Sequence, residues 1–258
     1  MSKVLDVTIV VPTKNEEKML PLLLQSIKKQ TIQPKEVIVA DASSTDRTVE
    51  IAKEYGARVV PGGIISVGRN NGALAAKTKY ILFCDADATF LSPTTLEKYY
   101  QFFESNKLEL SSALMRPTFE GNEGFIRKRV IWFMFGLWNK LKMQNKRKNA
   151  PVIESGTGIF VTQELFRKLG GFYTNTEIIA EDAEFTKRAI QSGVKYDIFR
   201  EGRIGSSGRR YKSILGTIKT IIAAVFFYLL STERGLRFAE KNPRISKFFL
   251  SLYGPLGG

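Results

Sequence analysis

The feature that most constrains the fold is a repeated pattern between residues 6 and 87. Apolar runs, each followed by polar residues, alternate there with segments of helical periodicity. The apolar runs predict strands, and they lie at residues 6–12, 36–41, 57–60 and 79–87. Strands that alternate with helices are typical of an α/β fold with a mostly parallel, helix-flanked sheet.

Polar side chains follow these strands at one predicted edge of the sheet. Asn15, Asp41 and Asp85 each lie at or just beyond the carboxyl end of a predicted strand. Ligands of such sheets bind outside the carboxyl ends of the strands. The sequence therefore predicts a binding site at this edge.

The segment Asp85-Ala86-Asp87 follows an apolar run of large side chains. Alternate residues of a strand point to the same side, so we expect Asp85 and Asp87 to share a side. Two neighbouring carboxylates repel each other unless a cation is near. Mg²⁺ prefers few protein oxygens together with substrate phosphates. The pattern indicates a metal–diphosphate site, and the alternative is a solvated loop with two acids.

The composition limits the kinds of catalysis and the classes of partner that the chain could have. The chain has 258 residues, a net charge of +14 and no histidine. The missing histidine excludes Ser-His-Asp and Cys-His catalysis and leaves acid–base work to carboxylates. The positive charge favours an anionic partner, namely nucleic acid, an acidic membrane surface or a phosphorylated substrate. The single cysteine, Cys84, cannot form an internal disulfide, so we expect a reducing, cytoplasmic compartment.

The second half of the chain is less regular. Residues 108–115 and 194–199 predict two further strands. Gly170-Gly171 predicts the end of a short helix, and Glu181-Asp182 the start of another. Acids at a helix start are stabilised by the helix dipole, so helix capping is the alternative to a functional role for that pair.

Two apolar segments with basic borders suggest a membrane surface. Residues 125–148 interleave aromatic side chains with arginines and lysines, which is typical of an interfacial membrane helix. A helix that covers the core is the alternative. Residues 214–230 form an apolar helical stripe that is short for a bilayer span, so we expect a surface-bound or packed helix.

Six motifs together resemble the family 2 glycosyltransferases of the GT-A fold, including membrane-associated enzymes that act on polyprenyl-linked glycans or dolichol phosphate. They agree in order and spacing between Asp6 and Phe199. The motifs are Val10 to Glu16, Val39 to Asp46, Arg69 to Ala73, Asp85-Ala86-Asp87, Gly170-Gly171-Phe172 and Glu181-Asp182.

The resemblance implies a Rossmann-like, mixed and mostly parallel sheet, followed by amphipathic or apolar C-terminal helices. It implies a catalytic domain over residues 1–205, with a nucleotide-binding half (1–90) and an acceptor half (91–205). Residues 206–258 would form a basic and apolar helical segment associated with the membrane. The donor would be a UDP-, GDP- or dTDP-sugar, and the cofactor Mg²⁺ or Mn²⁺.

The resemblance also implies roles for individual residues. Asp182 would be the general base of an inverting displacement, with Glu181 as its neighbour, and Asp87, with Asp85, would bind the metal ion. The residues that would bind the nucleotide sugar are Pro12, Lys14, Glu16, Asp41, Arg69, Asp85, Arg209 and Arg210. Within that set, Pro12, Lys14 and Glu16 would line the nucleoside pocket.

The sequence departs from the family pattern after the predicted base. The Gln-x-x-Arg-Trp motif of processive members is absent, so we expect transfer of a single sugar. A basic cluster at residues 206–212, which includes Arg209 and Arg210, stands in its place. It would hold the donor diphosphate or a phosphorylated acceptor, and a solvated basic loop is the alternative.

The predicted function is therefore an inverting, metal-dependent glycosyltransferase on the cytoplasmic face of the membrane. Its acceptor would be a hydroxyl group, with a lipid-linked glycan as a candidate. A polyprenyl-phosphate sugar synthase is a close alternative, because that acceptor is already ionised and needs no base. A nucleotidyltransferase would need a glycine-rich loop after the first strand, which residues 12–15 do not offer.

A non-catalytic protein that binds nucleic acid or membranes is the alternative of another class. The basic residues lie beside apolar runs, and the sequence has no helix-turn-helix or zinc pattern. We therefore expect no nucleic-acid partner.

Overall fold

A computed structural model describes residues 4–119, 124–147, 156–174 and 181–208. The strands are β1 (Val4–Thr13), β2 (Gln33–Asp41), β3 (Arg58–Pro61), β4 (Tyr80–Phe83), β5 (Ala88–Phe90), β6 (Leu110–Thr118), β7 (Ile159–Thr162) and β8 (Tyr196–Ser207). The helices are α1 (Leu20–Lys28), α2 (Thr48–Glu54), α3 (Ile65–Ala75), α4 (Thr95–Ser105), α5 (Phe125–Arg147), α6 (Gln163–Lys168) and α7 (Glu181–Gln191).

The strands form one sheet in the order β3-β2-β1-β4-β7-β6-β8-β5. β1 is parallel to both β2 and β4, and β2 is parallel to β3. β7 is antiparallel to β4 and β6, β8 is parallel to β6, and β5 is antiparallel to β8. The predicted mixed, mostly parallel sheet is confirmed.

Helices cover both faces of this sheet. Because strand residues alternate between faces, Ile9 of β1 contributes to one buried cluster and Val10 to the other. The first cluster contains side chains of α1, α2 and α4, and the second contains side chains of α3, α6 and α7. The two clusters make the sheet a buried layer, which explains why its strands are apolar runs.

Helix α3 lies unusually close to the sheet. A Cβ atom on Gly72 would be 2.3 Å from Cγ1 of Val10, and one on Gly68 would be 3.2 Å from Cβ of Pro12. Two glycines one turn apart therefore remove the side chains that would separate α3 from β1. The close packing brings Arg69 to the carboxyl ends of the strands.

One predicted strand boundary is wrong. The run at residues 79–87 does not form a single strand, because β4 ends at Phe83 and the chain turns before β5 begins at Ala88. The N–H of Ala88 donates to the carbonyl of Asp85 at 3.0 Å and closes this turn. The chain must leave its position beside β1 here, since β5 pairs with β8 at the far edge of the same sheet. Asp85 and Asp87 consequently lie in a turn.

The predicted C-terminal helices, including residues 214–230, lie outside the described residues. The division into 1–205 and 206–258 therefore stays a prediction. Within the described ranges, none of the helices combines the length and the apolar character that crossing a membrane requires.

Replacement of Gly72 by alanine tests the close packing of α3. The added methyl group would overlap Val10, whose side chain is fully buried and β-branched. We expect Gly72→Ala to lower the free energy of unfolding by about 1–3 kcal/mol in urea titrations. Gly136→Ala is the matched control, because Gly136 lies within α5 with no atom in reach of a new Cβ. That substitution should be neutral or stabilise the protein by up to about 1 kcal/mol, and equal losses in both variants would contradict the packing argument.

Candidate active site

The loops after β1 and β2 are joined by side-chain to backbone hydrogen bonds. The N–H of Asn15 donates to Oγ of Ser44 at 2.8 Å, and the N–H of Thr45 donates to Oδ1 of Asn15 at 2.9 Å. The N–H of Glu16 donates to Oγ1 of Thr48 at 2.8 Å. Asn15 and Ser43 have φ angles of 53° and 57°, a left-handed conformation that few non-glycine residues adopt. The two loops therefore form one rigid unit at the sheet edge.

Asp41 is oriented by this unit. Its Oδ1 accepts hydrogen bonds from Oγ1 of Thr13 at 3.2 Å and from Oγ of Ser44 at 2.6 Å, and its Oδ2 accepts one from the N–H of Ser44 at 2.9 Å. Asp41 is half-buried. A half-buried carboxylate in a fixed orientation is suited to bind a polar ligand group.

The other residues predicted to line the nucleoside pocket differ in exposure. Pro12 is half-buried, Lys14 is exposed and Glu16 is buried. All three lie at the end of β1 or in the loop that follows it, beside Asp41. The lysine is thus the side chain most accessible to an incoming anion.

Arg69 of α3 connects two distant parts of the chain. Its Nη2 donates to Oδ1 of Asp85 at 2.9 Å, and its Nη1 donates to Oε1 of Glu181 at 2.6 Å. The side chain is only 3% exposed. Burial by itself would lower the pKa of the guanidinium, but the carboxylates of Asp85, Glu181 and Asp182 raise it above its ordinary value. Arg69 is therefore a buried, permanently charged side chain, and its ion pairs form a junction between the turn after β4 and the start of α7.

Little space is left around the Arg69 guanidinium. Gly156 has a φ of +69°, and a Cβ atom there would be 1.9 Å from Nη2 of Arg69. The ring of Phe172 lies 5.6 Å from the guanidinium carbon, within the range of a cation–π contact. A glycine at position 156 thus permits the guanidinium to occupy its place.

Asn70, the next residue of α3, holds the turn that follows α6. Its Nδ2 donates to the carbonyl of Phe172 at 2.8 Å, and its Oδ1 accepts from the N–H of Phe172 at 2.9 Å. Arg188 of α7 holds the same turn through hydrogen bonds to the carbonyls of Leu169 and Gly171, at 2.5 and 2.6 Å. The Gly170-Gly171-Phe172 turn is therefore attached to both α3 and α7.

Glu181 and Asp182 form the first turn of α7. Asp182 is 9% exposed, and its Oδ1 accepts a hydrogen bond from the N–H of Ala183 at 2.7 Å. A negative charge is favoured there by the helix dipole. In the structure Glu181 is paired with Arg69, which also binds Asp85.

Asp85 and Asp87 lie in the turn after β4 and are both half-buried. The N–H of Asp85 donates to Oγ1 of Thr157 at 2.9 Å, and the carbonyl of Asp87 accepts from the N–H of Ser207 at 3.2 Å. The described residues contain no group of three or more Asp, Glu, Cys or His side chains that could hold a metal ion. Two carboxylates fit a cation such as Mg²⁺ or Mn²⁺ that takes its remaining ligands from substrate phosphates and water.

The structure adds several site residues that the sequence did not identify. Arg209 and Arg210 lie outside the described residues. Asn70 belongs to the Arg69 to Ala73 motif and Gly156 lies outside the six motifs, and the partners of both are far away in sequence. Arg188 carried no signal beyond its position four residues after Glu184, with which it forms an ion pair at 2.6 Å.

Replacement of Asn70 by alanine tests the attachment of the turn. The change would leave the N–H and carbonyl of Phe172, a buried residue, without their hydrogen-bond partner. We expect Asn70→Ala to lower the free energy of unfolding by about 1–3 kcal/mol. The adjacent Asn71→Ala removes one exposed bond to the carbonyl of Pro61 and should change it by less than about 0.5 kcal/mol. Chemical denaturation measures both, and similar values would argue against the proposed attachment.

Comparison with known proteins identifies relatives of this chain. O-antigen chain rhamnosyltransferase WbaN of Salmonella anatum is 30% identical over 190 residues, which is 70% of this chain and 59% of that protein. A 4,4'-diaponeurosporenoate glycosyltransferase of Staphylococcus aureus is 40% identical over 98 residues, 35% of this chain and 26% of that one. The chain spans less than two thirds of the length of either relative.

Solved structures show the same fold. Mannosyltransferase PcManGT from Pyrobaculum calidifontis, in complex with GDP-Man and Mn²⁺, superposes with a TM-score of 0.64 at 19% identity, over 96% of this chain and 72% of that one. TarS 1–349 of S. aureus, in complex with UDP-GlcNAc, gives a TM-score of 0.59 at 19% identity with the same coverage. The predicted GT-A type of sheet is thus confirmed.

The sequence family follows from a separate match. Residues 8–170 match the model of glycosyl transferase family 2, from β1 to the turn after α6. The match includes Arg69, Asp85 and Asp87 and ends before α7. Because the match covers more than half of its length, the chain belongs to glycosyl transferase family 2.

Proposed function

We propose that the protein transfers one sugar from a nucleotide-diphosphate sugar to a hydroxyl acceptor, with inversion at the anomeric carbon. The observation that carries this proposal is the junction at Arg69, which links Asp85 at the end of the parallel strands to Glu181, the neighbour of Asp182. The proposal assigns the donor to the strand ends beside Asp85 and the acceptor to the start of α7 beside Asp182. Family membership supports the reaction class.

The donor would bind at the ends of β1, β2 and β4. Asp41, held by Thr13 and Ser44, would contact the base or ribose, and Pro12, Lys14 and Glu16 would line the nucleoside pocket. The structural neighbours PcManGT and TarS are complexes with GDP-Man and UDP-GlcNAc, which supports a nucleotide-sugar donor. Arg209 and Arg210 are proposed to hold the diphosphate or a phosphorylated acceptor.

Asp87, with Asp85, would hold Mg²⁺ or Mn²⁺. The complex of PcManGT with Mn²⁺ supports the use of a divalent metal. When bound, such an ion would offset the negative charge of the departing nucleoside diphosphate.

Asp182 would act as the general base. The acceptor oxygen would form a bond to the anomeric carbon while the bond from that carbon to the diphosphate oxygen breaks. The proton of the acceptor hydroxyl would pass to the carboxylate of Asp182, and the bonding electrons would leave with the nucleoside diphosphate. Attack from the face opposite the leaving group produces the inversion. Glu181, bound to Arg69, would hold the first turn of α7 in place.

The acceptor is proposed to be a lipid-linked glycan at the cytoplasmic membrane face. Helix α5 presents exposed apolar side chains, with Phe125 72% and Phe133 69% exposed, together with the exposed bases Arg129 and Lys140. Aromatic side chains favour the headgroup region of a bilayer, and each basic residue near an anionic surface contributes about 1 kcal/mol. The anionic cytoplasmic leaflet is the surface that matches this charge. The opposite side of α5 carries the buried Ile131.

A screen of donors tests the proposed reaction. Purified protein with Mn²⁺ or Mg²⁺ should show a thermal shift and slow hydrolysis with one of the UDP-, GDP- or dTDP-sugars, and a chelator should reduce both. Asp182→Asn should then lower kcat by about 100-fold or more, because general-base catalysis contributes 10²–10⁴-fold. Donor affinity in this variant should stay unchanged. Glu164→Gln, at an exposed carboxylate of α6, is the control and should behave like the wild type.

Two outcomes would change the proposal. No response of the wild-type protein to any donor, with or without metal, would refute nucleotide-sugar transfer. Unchanged turnover in Asp182→Asn would refute the general base and favour an acceptor that is already ionised, as in a polyprenyl-phosphate sugar synthase.

Vesicle co-sedimentation tests the membrane face of α5. The wild type should bind vesicles that contain anionic lipid, and binding should weaken as salt is added because exposed charges are screened. A Phe125→Ser, Phe133→Ser double variant should bind less. Leu74→Ser is the control, since Leu74 is 63% exposed but lies on α3. Equal binding of all three proteins would argue against α5 as the contact surface.

A further inference from the structure

The ion pairs of Arg69 join the two parts of the chain to which the proposed reaction assigns the donor and the acceptor. Arg69 binds Asp85, which lies 16 positions away in sequence, and Glu181, which lies 112 positions away. The first belongs to the turn after β4 and the second to the start of α7. One side chain thus bridges the donor and acceptor sides of the chain.

The guanidinium has no room for a ligand of its own. It is 3% exposed, Gly156 lies against Nη2 and Phe172 lies near its carbon atom. Its two bonded nitrogens already donate to carboxylates. Its Nε is buried without a hydrogen-bond partner. A direct contact with a nucleotide would therefore require the guanidinium, or the residues that cover it, to move.

We propose that Arg69 is a positioning residue, which holds Asp85 and the Glu181-Asp182 turn at the separation that sugar transfer needs. This inference rests on the proposed function and assigns Arg69 a role through its partners instead of the nucleotide contact expected from the sequence. Arg69 binds Oδ1 of Asp85 and Oε1 of Glu181, and leaves the second oxygen of each carboxylate out of the ion pair. The planar fork of an arginine fixes two partners at once, which a lysine does not.

Electrostatics support this role. Asp85, Glu181 and Asp182 all act on Arg69 as nearby negative charges, and without the cation they would repel one another. Removal of the cation would therefore let the turn after β4 and the start of α7 move apart. A displacement of about 1 Å at a reacting group can reduce the rate about 100-fold.

Substitutions of Arg69 test the role by separating kcat from donor affinity. In Arg69→Lys and Arg69→Gln, kcat should fall about 100-fold. The dissociation constant of the donor should rise by a much smaller factor, since Arg69 acts on the donor only through Asp85. A double-mutant cycle with Glu181→Gln should be less than additive, because both changes break the same link. Arg47→Gln is the control, since that arginine is exposed and its side chain pairs with Glu50 and Glu54.

Lost donor affinity with an unchanged kcat would overturn the inference and indicate a direct nucleotide contact. Full activity of folded Arg69→Lys and Arg69→Gln would overturn it as well. If Arg69→Gln does not fold, Arg69→Lys and Glu181→Gln still provide the comparison.

Hydrogen exchange tests the positioning role without any turnover. In the absence of donor, amides of residues 181–186 should exchange faster in Arg69→Lys than in the wild type, and those of α2 should not. Unchanged exchange in the folded variant would overturn the inference. Because this measurement needs no substrate, failure of the donor screen would refute the proposed function and still leave exchange to decide the role of Arg69.

Discussion

A guanidinium that is buried away from water is stable only when opposite charge lies close to it, and the structure around Arg69 meets this condition. Its carboxylate partners come from the turn after β4 and from the start of α7. Loss of either partner would leave a buried cation with less opposite charge close to it. The edge of the sheet where the parallel strands end therefore depends on one ion-pair junction. That junction exists because Gly68 and Gly72 allow α3 to lie directly on β1.

The first half of the fold could be predicted because its signals are local. The predicted strands 6–12, 36–41 and 57–60 correspond to β1, β2 and β3, which extend beyond or shift against them by at most a few residues. A buried parallel strand needs an apolar run, and its crossover helix needs an apolar stripe. Both patterns can be read within a short segment. Polar residues at the strand ends then indicated the edge at which a site would form.

The remaining features depend on contacts between distant segments. The antiparallel β7 lies between β4 and β6, and nothing in its four residues specifies this position. The same is true of the partners of Arg69 and Asn70, since a sequence contains many carboxylates and turns that could satisfy them. The end of β4 was misplaced for a related reason. The apolar run continues past Phe83, and only the pairing of β5 with β8 requires the chain to turn there.

The paired loops after β1 and β2 have a consequence for ligand selection. Asn15 and Ser43 hold left-handed backbone conformations, and hydrogen bonds between the loops maintain them before any ligand arrives. The conformational entropy of these loops is therefore lost during folding and not during association. A nucleotide that bound at this end, as proposed, would meet loops whose conformation is already fixed by these hydrogen bonds. Discrimination between bases would then reside in the shape and donor–acceptor pattern of a rigid surface, whereas closure of these loops around a ligand would contribute little.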